Sequence, residues 1–370
     1  MRRTIVALAV MACALLTWAA TASASGEAIP GSYIVVVKKG NDPKTVASER
    51  NAKIEHVYRS AVNGFAAKLS DAQVAKLRAS KKVAYVEQDR VVTASATQTG
   101  ATWGIDRIDQ RNRPLSGTYT YNTTASNVTA YVIDTGIQTS HPQFGGRAAV
   151  SYDALGGNGQ DCNGHGTHVA GTIGSSTYGV AKAVRLRAVR VLNCSGSGST
   201  SGIIAALNWV RANHAANSVA NMSLGGSYSS TLNNATTNLV NSGVFVAVAA
   251  GNESQNACNV SPASAPGTYT SAASDSSDRR ASFSNYGGCV DGYAPGVSIK
   301  STWIGSGTNT ISGTSMASPH TAGVAALYKG TFGNAAASTI VGWINSNATA
   351  GVISGNPSGT PNRLLFKSTL

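Results

Sequence analysis

Two rhythms of apolar residues divide the chain. From residue 96 onward, short unbroken apolar runs alternate with longer stretches in helical spacing. Segments 128–133, 184–191, 219–222 and 244–249 read as strands apolar on both faces, the mark of a buried parallel sheet. Helices are predicted over 165–174, 202–213, 230–242 and 315–329; in the second, Ile203, Leu207 and Val210 keep to one face. Strand–helix alternation predicts an α/β fold, a doubly wound, mostly parallel sheet with its site at the strand C-terminal ends. Asp134, Ser223 and Asn252 all stand just beyond such ends.

The region before residue 96 keeps a different order. Strands are predicted at 33–38, 54–58, 65–69 and 83–86, with helices over 43–51 and after Ser70. Ser70 and Gln73 form a capping box that turns Val74 and Leu77 inward. The order βαββαβ fits a small α+β, ferredoxin-like domain. Residues 93–101 are rich in Thr, Ala and Ser and read as a linker. At the start, Arg2 and Arg3 precede an apolar stretch over 5–20, and Ala22-Ser23-Ala24 offers a small-residue cleavage site. This is a secretory signal, too short for a membrane anchor. The predicted divisions are therefore a signal at 1–24, a small domain at 25–95 and a larger domain at 96–370.

Composition narrows the class. Hydrophobic residues make up 42% of the chain and charged ones 12%, with 40 glycines, which suits a compact enzyme and excludes a disordered tail. The net charge of +13 is spread along both regions without a dense basic block or a groove-reading motif, so nucleic acid is not an expected partner. No other window is long and apolar enough to anchor the chain in a membrane, and nothing in the pattern asks for self-association; a monomer is expected. Of five cysteines, Cys13 leaves with the signal. The other four enter an oxidising space, where two bridges in any of three pairings are expected.

Candidate chemistry lies in three glycine-flanked places. Gly313-Thr314-Ser315-Met316-Ala317-Ser318-Pro319-His320 sets a hydroxyl at a helix start, where free N–H groups favour developing negative charge. Gly313 is expected to allow close backbone approach, and Pro319 to fall early, where a missing N–H costs least. Asp134 ends a buried strand, and His165 enters a small-residue helix. A serine needs an adjacent base, and the base needs a carboxylate to hold its tautomer. Asp134, His165 and Ser315 complete that set in the order acid, base, nucleophile. A competing reading takes Cys162, His165, His168 and Cys194 as zinc-type ligands.

The blocks Asp134-Thr135-Gly136, His165-Gly166-Thr167-His168, Gly313-Thr314-Ser315-Met316-Ala317 and Ala249-Ala250-Gly251-Asn252 resemble those of subtilisin-family serine peptidases of the proteinase K group. The resemblance covers nearly the whole chain after the first two dozen residues. It implies a secreted endopeptidase acting on polypeptides through an acyl-enzyme. Ser315 would be the nucleophile, His165 the base, Asp134 its orienter and Asn252 an oxyanion donor. An extended substrate would lie between Ser223-Leu224-Gly225 and Gly196-Ser197-Gly198. Ala249, Ala250 and Gly251 would line a roomy, uncharged first pocket with apolar or aromatic preference. Thr200 stands where the group carries a tyrosine lid, which implies looser selectivity at a distal pocket.

The same resemblance implies bridges Cys162–Cys194 and Cys258–Cys289. It makes residues 25–95 a propeptide that inhibits the enzyme and assists its folding, removed by cleavage near Ala96. It implies structural calcium held by Asp291 with the carbonyls of Pro266 and Thr268. A second calcium would use Asp106, Asp109 and Gln110; an ordinary salt-bridged segment around Arg107 and Arg111 is the other reading there.

Overall fold

A computed structural model describes residues 28–90 and 96–370. The predicted signal at 1–24 and most of the linker start, 91–95, lie outside the described residues. The chain divides into two compact units, residues 1–93 and 94–370.

In the N-terminal unit, β1 (Ala28–Val37), α1 (Pro43–Ser48), β2 (Lys53–Tyr58), β3 (Gly64–Lys68), α2 (Asp71–Arg78) and β4 (Val83–Arg90) follow in turn. The strands form one antiparallel sheet in the order β2-β3-β1-β4, the ferredoxin-like arrangement. Ser70 and Gln73 close the capping box, and Val74 and Leu77 are buried against Val35 and Phe65 in the unit's own core. The last strand runs to Arg90 rather than stopping at 86, and α1 ends at Ser48 rather than 51.

The C-terminal unit opens with β5 (Ala96–Thr99), α3 (Trp103–Asp109) and β6 (Thr118–Tyr121). It continues through β7 (Thr129–Asp134), β8 (Ala148–Asp153), α4 (His165–Gly174), β9 (Arg185–Arg190), α5 (Thr200–Asn213), β10 (Ser218–Met222), β11 (Gly226–Ser227), α6 (Ser230–Asn241) and β12 (Phe245–Ala249). After these come β13 (Val260–Ser261), β14 (Tyr269–Ser274), β15 (Gly292–Pro295), β16 (Ile299–Trp303), β17 (Gly307–Ile311), α7 (Thr314–Phe332), α8 (Ala337–Asn347), β18 (Thr349–Ala350) and β19 (Arg363–Leu364). The expected linker is thus partly a strand: β5 pairs antiparallel with β6.

Nine strands form the main sheet in the order β18-β19-β15-β14-β12-β10-β7-β9-β8. Every neighbouring pair is parallel except β18 with β19. From β7 the chain winds to one side through β8 and β9, then crosses to build the other side from β10 onward. The C-terminal ends of β7 and β10 therefore meet at a topological switch point, where open α/β sheets carry their sites. Buried strands explain the unbroken apolar runs: Val132, Ile133, Val246 and Val248 are all fully enclosed. Helix α7 is buried over most of its length, and its small residues make that possible; a Cβ on Gly323 would lie 2.5 Å from Val180.

Candidate active site

Asp134 is the last residue of β7 and is fully buried. Its Oδ1 lies 2.7 Å from His165 Nδ1 and accepts the Thr135 N–H at 2.7 Å. The other oxygen, Oδ2, is buried without a hydrogen-bond partner among the described residues. His165 is the first residue of α4, and close packing brings it there. A Cβ on Gly166 would lie 2.1 Å from Gly136 O, and one on Gly164 (φ +110°) 2.3 Å from the Trp303 ring. Burial alone would lower the His165 pKa. The Asp134 charge and hydrogen bond, with Asp161 adding its charge, outweigh burial and hold it above the ordinary histidine value.

Asp161 is a connection that sequence reasoning missed. Its Oδ1 accepts from Thr135 Oγ1, Asn163 N and Gly164 N, each at 2.9 Å. Its Oδ2 accepts from Thr167 N at 2.9 Å and Thr167 Oγ1 at 2.6 Å. One carboxylate thus ties the segment after Asp134 to the first turn of α4, where free N–H groups favour an anion. The signal was present: an acid just upstream of a glycine-flanked helix start.

Ser315 lies in the first turn of α7. Its Oγ donates to Ser223 O at 3.2 Å, and the Ser223 hydroxyl donates back to Ser315 O at 2.7 Å. Ser223 also receives the Asn221 amide at 2.9 Å, and Asn221 Oδ1 accepts from Ser318 Oγ at 2.7 Å. Two expectations change here. Pro319 sits inside α7, past its first turn, and a Cβ on Gly313 would make only ordinary contacts, 3.6 Å from Ser315 N and 3.7 Å from Asn252 Nδ2.

Asn252 follows β12 in a loop. Its Oδ1 accepts both the N–H and the hydroxyl of Thr314, at 2.8 and 2.9 Å. Those donors fix which end of the amide is oxygen, and leave Nδ2 as the free donor near Gly313. Thr314 is buried and also receives the Gly251 N–H at 3.0 Å. It was read only as part of a motif, yet it aims the amide.

Two adjoining clefts flank these residues. One, of about 690 Å³, is lined by His165, Gly196, Ser197, Gly198, Thr200, Ser223, Leu224, Gly225 and Tyr228. Gly198 is required there, since a Cβ would lie 2.2 Å from Val191 O. The other, of about 460 Å³, is lined by Leu224, Ala249, Gly251, Asn252, Glu253, Thr314 and Ser315 among others. Ala250 is not at its wall: it is fully buried and packs into a separate core cluster with Val290 and Tyr293. Successive residues along an extended chain face opposite ways, so Ala249 and Gly251 take the cleft side. Nor is the pocket lined by uncharged residues alone, because Glu253 is among them.

The zinc reading is overturned. Cys162 is bridged to Cys194, and Cys258 to Cys289. His168 is buried with Nε2 2.9 Å from Ile299 O, and burial holds its pKa down to about 4. Among the described residues no group of three or more His, Cys, Asp or Glu side chains is arranged to hold a metal.

The residues expected to bind calcium separate into two cases. Asp291 accepts the Thr270 N–H at 2.7 Å, yet burial pushes its carboxyl up to about 6 despite that bond and the Arg363 charge. Asp291 and Thr268 line one hollow of about 650 Å³, while the Pro266 carbonyl accepts from Thr237 Oγ1 at 3.0 Å. A buried carboxylate beside an open hollow fits a hard cation. The second set does not. Asp106 accepts from Ser116 and Gly117, Gln110 Oε1 accepts from Ser116 N at 2.9 Å, and Asp109 pairs with Lys367 Nζ at 3.0 Å. Arg107 is buried in a bidentate pair with Asp278, at 2.7 and 3.1 Å. This is the salt-bridged segment, with an ammonium already meeting the acid.

Comparison with known proteins agrees with this geometry. Residues 125–364 match the model of the Subtilase family, and residues 32–95 match that of the Peptidase inhibitor I9. An extracellular serine proteinase of Thermus sp. (strain Rt41A) is 48% identical over 369 residues, covering 92% of this chain and 90% of the relative. Proteinase R of Parengyodontium album is 48% identical over 356 residues, covering 93% and 91%. A solved cold-adapted subtilisin-like serine proteinase superposes with a TM-score of 0.72 at 52% identity, covering 74% of this chain and 99% of that one. The chain belongs to the subtilase family of serine peptidases. It is a subtilisin-like serine endopeptidase preceded by an inhibitor I9 domain.

Proposed function

We propose that residues 96–370 are the mature, secreted enzyme and that Asp134, His165, Ser315 and Asn252 carry its reaction. The contact of 2.7 Å between Asp134 and His165, which lines one cleft while Ser315 lines the cleft adjoining it, is the observation that supports this most strongly. Ser315 Oγ turns from Ser223 O, to which it donates at 3.2 Å, toward His165 Nε2, and attacks the peptide carbonyl carbon while that nitrogen takes its proton. The oxygen that becomes negative is received by Asn252 Nδ2 and the Ser315 N–H. The C–N bond then breaks, and His165 returns the proton to the leaving amine. Water repeats the sequence on the acyl-enzyme, releasing the acid and restoring Ser315. Asp134 holds the imidazole's Nδ1–H throughout and stabilises its cationic form. Losing the Asn252 donor costs roughly 10²–10³ in turnover, and losing Ser315 or His165 on the order of 10⁶, the sizes measured in subtilisin itself.

An extended polypeptide adds as a strand between 196–198 and 223–225. The pocket beside Ser315 takes apolar or aromatic side chains, and Glu253 on its edge admits basic ones. Thr200 leaves the distal end of the cleft open. Residues 1–24 direct export, and residues 25–95 act as inhibitor and folding aid. A parallel sheet of long-range contacts folds slowly, which gives such an aid its purpose. Calcium held by Asp291, with carbonyls of Pro266 and Thr268, would brace the loop between β13 and β14 without entering the reaction.

Self-processing tests this reading. Ser315→Ala, produced in a host without other proteases, accumulates as uncleaved precursor. Normal cleavage of that variant near Ala96 would overturn self-maturation.

A further inference from the structure

Asn285 has no part in the motifs or in the reaction above, yet it is fully buried and all its amide capacity is spent on one loop. Its Oδ1 accepts the N–H groups of Glu253 and Gln255, at 3.1 and 2.9 Å. Its Nδ2 donates to Ala250 O at 2.9 Å and to Glu253 Oε2 at 2.8 Å. Its backbone N–H donates to Gly251 O at 3.0 Å. A side-chain amide has two donors and two acceptor positions, so nothing is left over.

The distribution of those bonds is the point. They fall on both sides of Asn252 and none on Asn252 itself. The loop is irregular, so its backbone groups have no ladder to satisfy them, and each must be met some other way. Contact is close as well: Gly251 has φ +99°, and a Cβ there would lie 2.2 Å from Asn285 Nδ2. Gly251 and Asn285 therefore fit only as a pair. Thr314 holds the oxygen end of the Asn252 amide from one direction. Asn285 fixes the backbone that carries Asn252 from the other.

We infer that Asn285 is a positioning residue for the reaction: it holds the 250–255 loop so that Asn252 Nδ2 faces the oxyanion, without itself touching substrate. This rests on the oxyanion reading of Asn252. The competing account is that Asn285 stabilises the fold and has no bearing on turnover. A misplacement of about 1 Å in a reacting group can cost ~10²-fold, which sets the expected scale.

The test is a double-mutant cycle on mature enzyme whose mass and concentration are verified, with kcat and KM read on a chromogenic peptide anilide. Asn285→Ala is expected to lower kcat about 10–100-fold with KM changed less than about threefold. In an Asn252→Ala background the same change is expected to lower kcat less than about twofold, since the donor it positions is gone. An equal loss of kcat in both backgrounds would overturn the inference and leave the oxyanion reading intact. An unchanged kcat in Asn252→Ala alone would overturn that reading and the inference with it. If Asn285→Ala does not fold, Asn285→Ser, which adds no charge beside Glu253 and is too short to span the same contacts, carries the same prediction.

Discussion

The Ser223 hydroxyl caps the Ser315 carbonyl at 2.7 Å, and that carbonyl is the one Pro319 leaves without a helical partner. In an α-helix the N–H of residue 319 would bond to the carbonyl of residue 315, but proline has none, and its ring crowds that oxygen. Ser315, the proposed nucleophile, therefore has its main chain anchored from the residue that follows β10 rather than from its own helix. Ser223→Ala leaves the buried Asn221 amide donor and the partly buried Ser315 carbonyl unpaired and is expected to destabilise the mature enzyme by about 1–3 kcal/mol. Urea unfolding of inhibitor-blocked protein measures it. An unchanged midpoint would remove Ser223 from the anchoring of α7.

Histidines set opposite pH dependences. Burial holds His168 and His320 down to about 4, both with a ring nitrogen bonded to a backbone carbonyl. Their folded values lie below the unfolded one, so the unfolded chain binds more protons between pH ~4 and ~6.5. Their contribution is complete above pH ~6.5 and is lost as pH falls through that window, with a slope approaching about 2.7 kcal/mol per pH unit. His165 runs the other way. Its raised value adds stability that is present below pH ~6.5 and lost as pH rises through the folded value. The proposed mechanism needs neutral His165, so the acid limb of kcat/KM should lie above an ordinary histidine's. Asp161→Asn should move that limb to lower pH; a limb that stays in place would separate Asp161 from the imidazole's titration.

Glu253 should make the enzyme tolerant of basic side chains next to the cleaved bond. One carboxylate oxygen accepts from Asn285 while the residue as a whole is exposed, so its effect on substrate is partly screened. Glu253→Gln is expected to lower kcat/KM for Lys or Arg substrates about 3–10-fold, on the scale of about 1 kcal/mol for an exposed pair, and to leave aromatic ones within twofold. Cleavage of a peptide library compares them directly. Equal loss on both classes would mean that the charge is not read.

Calcium at Asp291 should act on durability. A chelator, or Asp291→Asn, is expected to shorten the half-life at raised temperature several-fold while leaving initial rates within about twofold, because the hollow is separate from the clefts beside Ser315. An inactivation rate that ignores the chelator would take calcium out of the account.

Much of this was legible in the residue order. Buried strands announce themselves as unbroken apolar runs, and β7, β9, β10 and β12 lie within a residue or so of their expected bounds. The pairing of Asp134 with His165 was readable because both sit in glycine-flanked blocks that close packing requires. What escaped depends on contacts between distant segments. Asp161 and Asn285 look like ordinary loop residues until their hydrogen bonds are seen. Ala250 could be placed on the wrong wall because direction at the end of a strand is not fixed by identity. Lys367 lies more than two hundred residues from Asp109, so nothing local announced that the acid already had a cation.

Labelling at one hydroxyl tests the central claim most directly. Mature protein treated with a phosphonyl fluoride and weighed should gain one phosphonyl group with loss of fluoride, mapped by fragmentation to Ser315, and activity should vanish in step. His165→Ala should slow that labelling by several orders of magnitude. Mature, folded protein that hydrolyses peptides yet carries no group on Ser315, or carries it elsewhere, would contradict the account.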